Sequence, residues 1–191
     1  MQIEHIKLVH ECGEYDTRRV RPWFYQKQRL DFWREHGVML PPARELGKLG
    51  VPKDLRILLS PITITIEMDK GNEFLQWKFH KGWLTDLASV PWWFRGVVDN
   101  DDLDLLAAAY IHDANFSCHF LGDSLQGLAR TNDLFREMIR YRGKRFKAWL
   151  AYKAVDSIVG HALWHKMPDR RAKWTRGLVE FSASNPLYYN R

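Results

Sequence analysis

The amino-acid sequence predicts an α+β fold in a single domain, with a β-rich N-terminal half and a C-terminal bundle of about three helices. Two patterns indicate this division. Around residues 58–79, β-branched and aromatic residues alternate with polar ones, as in a half-buried hairpin. From residue 101 onward, apolar residues recur at helical spacing. The 191 residues, 46% of them hydrophobic, are enough to bury a core without disulfides or metals.

The N-terminal half is predicted to contain three strands, one short helix and three irregular connections. Period-two alternation indicates the strands, and Gly37 closes the helix. Proline, glycine and small polar residues indicate the connections. These elements are strands at 3–9, 58–68 and 74–79, a helix at 29–36, and irregular segments at 41–54, 69–72 and 82–91.

Three helices are predicted in the C-terminal half. The first begins near residue 101, where acidic residues occupy a first turn and complement the helix dipole. The second runs from Asn132 to Arg142, and the third spans residues 146–165 with Trp149 among its inward-facing side chains. The final segment, residues 169–191, carries few structural signals.

Charge and cysteine content limit the classes of function. The formal net charge is +6, and basic residues cluster at 140–147 and 170–176. Such clusters can attract nucleic acid or an acidic protein surface, although a solvated helix face explains them more simply. The two cysteines lack metal-site or disulfide spacing, and no apolar run approaches the roughly 18 residues of a membrane span. A soluble protein of a reducing compartment is therefore expected, without a phosphate loop or a serine-hydrolase elbow.

Five polar residues form the candidate functional centre. Thr85 and Asp86 are expected in a loop after a strand, whereas His112 and Asp113 interrupt a largely apolar helix. Asp133 opens the next predicted helix, so a helical hairpin would bring it beside His112. In that arrangement His112 could act as a general base on water, with a carboxylate fixing its tautomer. Asp113 with Asp86 could instead bind a hard cation such as calcium.

Each of these residues also has a purely structural interpretation. His112 could donate a hydrogen bond from a packed helix to a loop carbonyl. Asp133 could cap its helix, since it shares a polar face with Arg130 and other charged residues. Asp86 could close an Asx turn. The residues alone do not decide between the catalytic and structural interpretations.

Three segments, 82–91, 107–113 and 130–135, together resemble the family of domain of unknown function 1353 (DUF1353). Its pattern combines a Gly-aromatic-x-Thr-Asp-x-Ala-Ser-x-Pro loop with a His-Asp helix and a helix in which an arginine precedes an aspartate. The resemblance covers about residues 62–160, between an N-terminal extension at 1–55 and a C-terminal tail at 169–191. Phe116 stands where the family commonly has tyrosine. The residues that carry the loop motif are Gly82, Thr85, Asp86, Ser89 and Pro91.

The resemblance implies a bacteriophage origin, because the family is widespread in tailed phages and prophages, but it implies no reaction. The segment from Ala108 to Phe116, with Asp133 on a second helix, is also similar to the paired helices of phospholipase A2-type enzymes. That similarity implies His112 activating water, Asp113 binding calcium and Asp133 orienting the histidine. The calcium loop and disulfides of those enzymes are missing here.

Two functions are therefore carried forward. The first is a virion protein of the phage tail, baseplate or head, with other phage proteins as partners; nine tryptophans favour such interfaces. It would be located in the virion or in the cytoplasm of the infected bacterium. The second is a hydrolase that uses His112 with Asp133 or Asp86, with calcium as a candidate cofactor. A nucleic-acid or host-factor binding protein is a further alternative.

Overall fold

The fold comes from a computed structural model, which describes residues 3–10, 17–19, 25–42, 56–68, 73–85, 103–141, 143–165 and 176–184. These residues form seven strands, five α-helices and one turn of 3-10 helix. The strands are β1 (Ile3–His10), β2 (Thr17–Arg19), β3 (Arg56–Leu58), β4 (Ile62–Met68), β5 (Glu73–Phe79), β6 (Leu84–Thr85) and β7 (Val179–Ala183). The helices are α1 (Tyr25–His36), α2 (Leu103–Cys118), α3 (Leu125–Tyr141), α4 (Arg145–Val155) and α5 (Ile158–Trp164).

The larger sheet has four antiparallel strands in the order β1-β4-β5-β7. The predicted hairpin is confirmed, with Ile64 of β4 opposite Trp77 of β5. Alternation along β4 buries Ile62, Ile64, Ile66 and Met68 on one face and leaves the intervening side chains partly exposed. Because only one face is apolar, the sheet must cover that face with another layer.

Helices α2, α3 and α4 supply the covering layer, and they share one core cluster with the sheet. Tyr110 of α2 packs edge-on against Phe79 of β5, with ring centroids 5.2 Å apart. Residues 107–117 of α2 are all buried, so this helix lies at the centre of the molecule. The α+β class is thereby confirmed. In the part of the chain that the structure describes, no helix is long and apolar enough to span a membrane.

A smaller sheet, in the order β2-β3-β6, positions the motif residue Thr85. Thr85 lies in strand β6, where it pairs with Arg56, and not in a loop as the sequence predicted. Gly82 lies just before this strand, with a φ of 91°. A Cβ atom at Gly82 would lie 2.5 Å from a methyl carbon of Val38, so both the backbone conformation and the packing require glycine.

The predicted start of the second helix is wrong, because α3 begins at Leu125 and not at Asn132. Its hydrogen bonding already starts with the amide of Leu128, which donates to the carbonyl oxygen of Ser124. Gly127, a weak helix former, lies in this first turn. The structure needs glycine there, since a Cβ atom would lie 2.0 Å from the carbonyl oxygen of Gly122. Asp133 is therefore in the middle of a helix and does not cap one.

The predicted third helix is two helices, α4 and α5, separated at Asp156 and Ser157. The Ser157 hydroxyl accepts a hydrogen bond from the amide of Gly160, as a residue at a helix start commonly does. Trp149, predicted to face inward, is 53% exposed, while Ala148 and Ala151 form the buried side of α4. The C-terminal segment also holds an element that the sequence analysis missed, namely β7, the outer strand beside β5.

Candidate functional site

Helix α2 carries a histidine and an aspartate through the centre of the molecule. His112 is 7% exposed and Asp113 is 5% exposed, and their neighbours on the helix are buried as well. A charged or polar group pays a large desolvation cost in such a place unless it is hydrogen-bonded. The partners of these two side chains therefore define the site.

Asp113 is hydrogen-bonded to the motif residue Thr85. The Thr85 hydroxyl donates to Oδ2 of Asp113 at 2.5 Å, and Thr85 itself is fully buried. Hydroxyl-to-carboxylate bonds of this length are charge-assisted and are among the stronger hydrogen bonds in proteins. The bond joins the short strand β6 to α2, so the Thr-Asp and His-Asp motifs meet through one residue of each.

His112 contacts α3 through Asn132. Its Nε2 lies 3.3 Å from Oδ1 of Asn132, which is fully buried. The imidazole ring also lies 4.5 Å from the ring of Phe116 and 4.9 Å from the ring of Phe135, measured between centroids. Aromatic contact with two rings and one hydrogen bond to an amide hold the imidazole in a defined orientation.

The hydrogen-bonded chain continues from Asn132 to the surface. Nδ2 of Asn132 donates to Oδ1 of Asp156 at 3.3 Å, and Nε2 of His161 lies 3.3 Å from the same oxygen. Asp156 stands at the junction of α4 and α5, where its side chain is 32% exposed. Polar side chains thus connect the buried His112 to a solvent-accessible carboxylate.

Tyr152 and Arg136 complete the outer end of this chain. Burial raises the pKa of Tyr152, and the carboxylates of Asp156 and Asp133 raise it further, whereas Arg136 lowers it. The guanidinium carbon of Arg136 lies 4.8 Å above the centre of the tyrosine ring, a cation–π arrangement. The surroundings of Tyr152 therefore favour its neutral, donating form.

The helical hairpin of α2 and α3 brings Asn132 to the His112 ring, where the sequence analysis expected Asp133. Its carboxylate pairs with Arg136 of the next turn at 3.1 Å, and its side chain is 47% exposed. Asn132, one residue earlier, occupies the inward-facing position instead, because consecutive helical residues point about 100° apart. Arg130 lies on the same helix and is partly buried. Its Nη1 has no hydrogen-bond partner among the described residues.

Three of the motif residues, Asp86, Ser89 and Pro91, lie outside the described residues. The proposed calcium pair of Asp86 and Asp113 thus has one member, Asp113, whose place is known. Among the residues with a described position, no group of three or more His, Cys, Asp or Glu side chains could hold a metal ion. The catalytic and metal-binding roles assigned from the sequence remain predictions.

Comparison with known families identifies the segment that carries this geometry. Residues 62–155 match the model of a protein family of unknown function, DUF1353. These residues form a DUF1353 region. The region contains Gly82, Thr85, His112, Asp113 and Asn132, whereas Asp156 follows directly after its last residue. No curated protein and no solved structure matches the chain.

The DUF1353 motifs include His112, at the buried end of the hydrogen-bonded chain, but they do not include Asp156 at its exposed end. Asn132 was interpreted as the first residue of a helix, because Asn-Asp is common at helix starts. Asp156 was not noticed, because it lay inside a pattern interpreted as one long helix. The Asp156-Ser157 pair, three residues before Gly160, is the signal that could have revealed a helix junction with a polar side chain available.

Proposed function

We propose that this protein is a structural or accessory component of a bacteriophage particle, in its tail, baseplate or head. The observation that carries the proposal is an exposed aromatic pair on α4. Phe146 is 69% exposed and Trp149 is 53% exposed, and their rings stack with centroids 6.2 Å apart. Exposed aromatic clusters of this kind mark surfaces that bind partners.

The charges around the aromatic pair favour an acidic partner surface. The sequence of α4 contains no acidic residue, and Arg145 and Lys153 are both exposed on it. The two acidic side chains of α3, Asp133 and Glu137, are already paired with arginines of the same helix. Complementary charge assists the encounter of two surfaces, while the buried aromatic rings supply most of the affinity.

The interior supports a structural role as well. Asp113 and His112 are nearly enclosed and hydrogen-bonded to Thr85 and Asn132, as expected of groups that fix a fold. The choice of a phage particle follows from the resemblance of the motif segments to a family found in tailed phages. The protein would be located in the virion or, before assembly, in the cytoplasm of the infected bacterium.

Mass spectrometry of purified particles from the encoding phage or prophage tests this proposal. We expect the chain in the particles at a fixed ratio to the major structural proteins. The variant F146S/W149S should fold normally and be lost from particles, whereas Trp33→Ser, which changes an equally exposed tryptophan on α1, should be retained. Absence of the unmodified chain from particles would refute a virion role.

A hydrolase centred on His112 is the second candidate. The specific observation in its favour is that His112 and Asp113, consecutive residues of α2, are both buried and are hydrogen-bonded to Asn132 and Thr85 respectively. Ester hydrolysis, measured with and without calcium, should then be abolished in His112→Gln and unchanged in Glu180→Gln, whose carboxylate pairs with His80. Turnover that survives His112→Gln would exclude this candidate.

Nucleic acid is a further candidate partner through the basic cluster at 140–147. Arg140 and Arg145 of this cluster are exposed, and stacking rings among cations also suit single strands. Binding to single-stranded oligonucleotides that weakens steeply with salt and disappears in F146S/W149S would support this partner. Unchanged affinity in that variant would exclude α4 as the binding face.

A further inference from the structure

We infer that Asn132 and Asp156 are positioning residues that hold neutral His112 with its proton on Nε2, so that Nδ1 carries the lone pair. Two hydrogen bonds support this inference: one joins the buried ring of His112 to Asn132, and the other joins Asn132 to the carboxylate of Asp156. Each bond fixes which group donates and which accepts. Neither Asn132 nor Asp156 was assigned a role by the sequence motifs.

The carboxylate of Asp156 determines the orientation of the Asn132 amide. An ionised carboxylate accepts hydrogen bonds and cannot donate them. Asp156 is partly exposed and is surrounded by donors: Nδ2 of Asn132, Nε2 of His161 and the hydroxyl of Tyr152. The side of the Asn132 amide that faces Asp156 must therefore be its NH2 group.

The protonation of the facing His112 nitrogen follows from the amide of Asn132. Because its NH2 group faces Asp156, its carbonyl oxygen faces His112, and an amide oxygen can only accept. Nε2 of His112, 3.3 Å from that oxygen, must then carry a proton. The opposite orientation of the buried amide would place its carbonyl oxygen against the carboxylate of Asp156, with two acceptors facing each other.

Two aromatic neighbours fix the orientation of the His112 imidazole. Phe116 and Phe135 contact the ring at centroid distances of 4.5 and 4.9 Å. Turning the ring to exchange its nitrogens would require both aromatic neighbours to move in a close-packed interior. The contacts therefore keep Nε2 directed at Asn132. In the hydrolase candidate, and resting on it, the general base is then Nδ1.

Nitrogen-15 NMR of the intact protein tests the inference directly. The spectra are recorded at rising pH until the nitrogen shifts of His112 no longer change, which marks the neutral ring. Correlations between ring nitrogens and carbon-bound protons, assigned by their loss in His112→Gln, should show Nε2 protonated and Nδ1 unprotonated. A ring N–H signal protected from exchange with water should accompany them.

Asp156→Asn is the informative variant, because an amide at this position can present either an oxygen or an NH2 group to Asn132. We expect a severalfold faster exchange of the Nε2 proton and a measurable population with the proton on Nδ1. Asp156→Ala should give the same result and serves if the first variant does not fold. Glu180→Gln is the control, since its carboxylate pairs with His80 and lies outside this hydrogen-bonded chain.

Two results would overturn the inference. One is a neutral His112 protonated on Nδ1 in the unmodified protein. The other is a set of His112 signals that stays the same in Asp156→Asn and Asp156→Ala. Both measurements are made without substrate, so they are independent of any hydrolase activity. A protein with the expected tautomer and no hydrolysis would count against the hydrolase candidate alone.

Discussion

The hydroxyl of Thr85 donates to the carboxylate of Asp113 at 2.5 Å, across 28 positions of the chain. Thr85 is the last described residue of the motif segment 82–91, and Asp113 belongs to the most deeply buried helix. This bond therefore connects the small sheet to the helical layer. Its contribution to stability can be measured with an isosteric substitution.

Thr85→Val should destabilise the fold by about 2 kcal/mol, because hydrogen bonds to charged groups contribute about 1.5–3 kcal/mol and the buried carboxylate would lose a donor. Thr131→Val is the matched control. Thr131 is equally buried, but its hydroxyl has no hydrogen-bond partner among the described residues. We expect this control to be neutral or slightly stabilising in urea unfolding. Equal destabilisation by both variants would contradict the role given to the bond.

Gly82→Ala should also destabilise the protein, by roughly 1–3 kcal/mol, since a side chain would strain a backbone with a φ of 91°. The added methyl would also collide with Val38. Adding Val38→Ala should relieve the collision and leave the backbone strain. Gly177→Ala, with open space around the position, is the control and should change the unfolding midpoint little. Full recovery in the double variant would show that backbone strain contributes nothing.

The free energy of unfolding should fall at alkaline pH because of the buried phenol of Tyr25. Its hydroxyl donates to the carbonyl oxygen of Pro41 at 2.6 Å, and burial raises its pKa, an effect that Arg29 only partly offsets. Because the folded protein holds the phenol proton more tightly than the unfolded chain, this stabilisation is complete below about pH 10, the ordinary tyrosine pKa. It is lost as the pH rises from there towards the folded pKa.

The variant Tyr25→Phe should therefore show a shallower decline of unfolding free energy above pH 10. At neutral pH it should lose about 1 kcal/mol with the hydrogen bond. Tyr141→Phe removes an exposed phenol and provides the control. Chemical denaturation at several pH values gives both slopes, and parallel slopes for Tyr25→Phe and the unmodified protein would argue against this assignment.

Two tryptophans of the helical half should respond very differently to alanine. Trp164 is fully buried, and its indole N–H donates to the carbonyl oxygen of Asp123 at 3.0 Å. Trp164→Ala should cost about 3–5 kcal/mol, as is usual for large buried aromatics. Trp149→Ala should stay within about 0.5 kcal/mol, because its side chain is exposed. A large loss for Trp149→Ala in thermal unfolding would mean that its ring stabilises the fold.

The alternation of residues predicted the sheet well and helical periodicity predicted the helix boundaries less well. The hairpin of β4 and β5 was found because Ile62, Ile64 and Ile66 alternate with polar residues without interruption. Helix α2 was found from its apolar content and its acidic first turn. The start of α3 was missed because Gly127 is a weak helix former whose presence is explained only by contact with Gly122.

The sequence predicted which residues belong to the candidate site better than it predicted which of them contact each other. Sequence motifs singled out His112, Asp113 and Thr85, and the structure brings Thr85 and Asp113 together. The choice between Asn132 and Asp133 as the partner of His112 depends on the phase of α3, and a start wrong by seven residues hides that phase. Asp156 depends on tertiary packing, which no local pattern specifies.

The outer strands of the larger sheet, β1 and β7, both lie outside the DUF1353 region. A recombinant fragment trimmed to residues 62–155 would keep the β4–β5 hairpin but strip the neighbour from each side of it. Backbone amides and carbonyls that now pair with residues 3–10 and 179–183 would then be open to other chains, which is a common route to aggregation. Expression of this region therefore needs both flanking segments, although neither contributes to the family pattern.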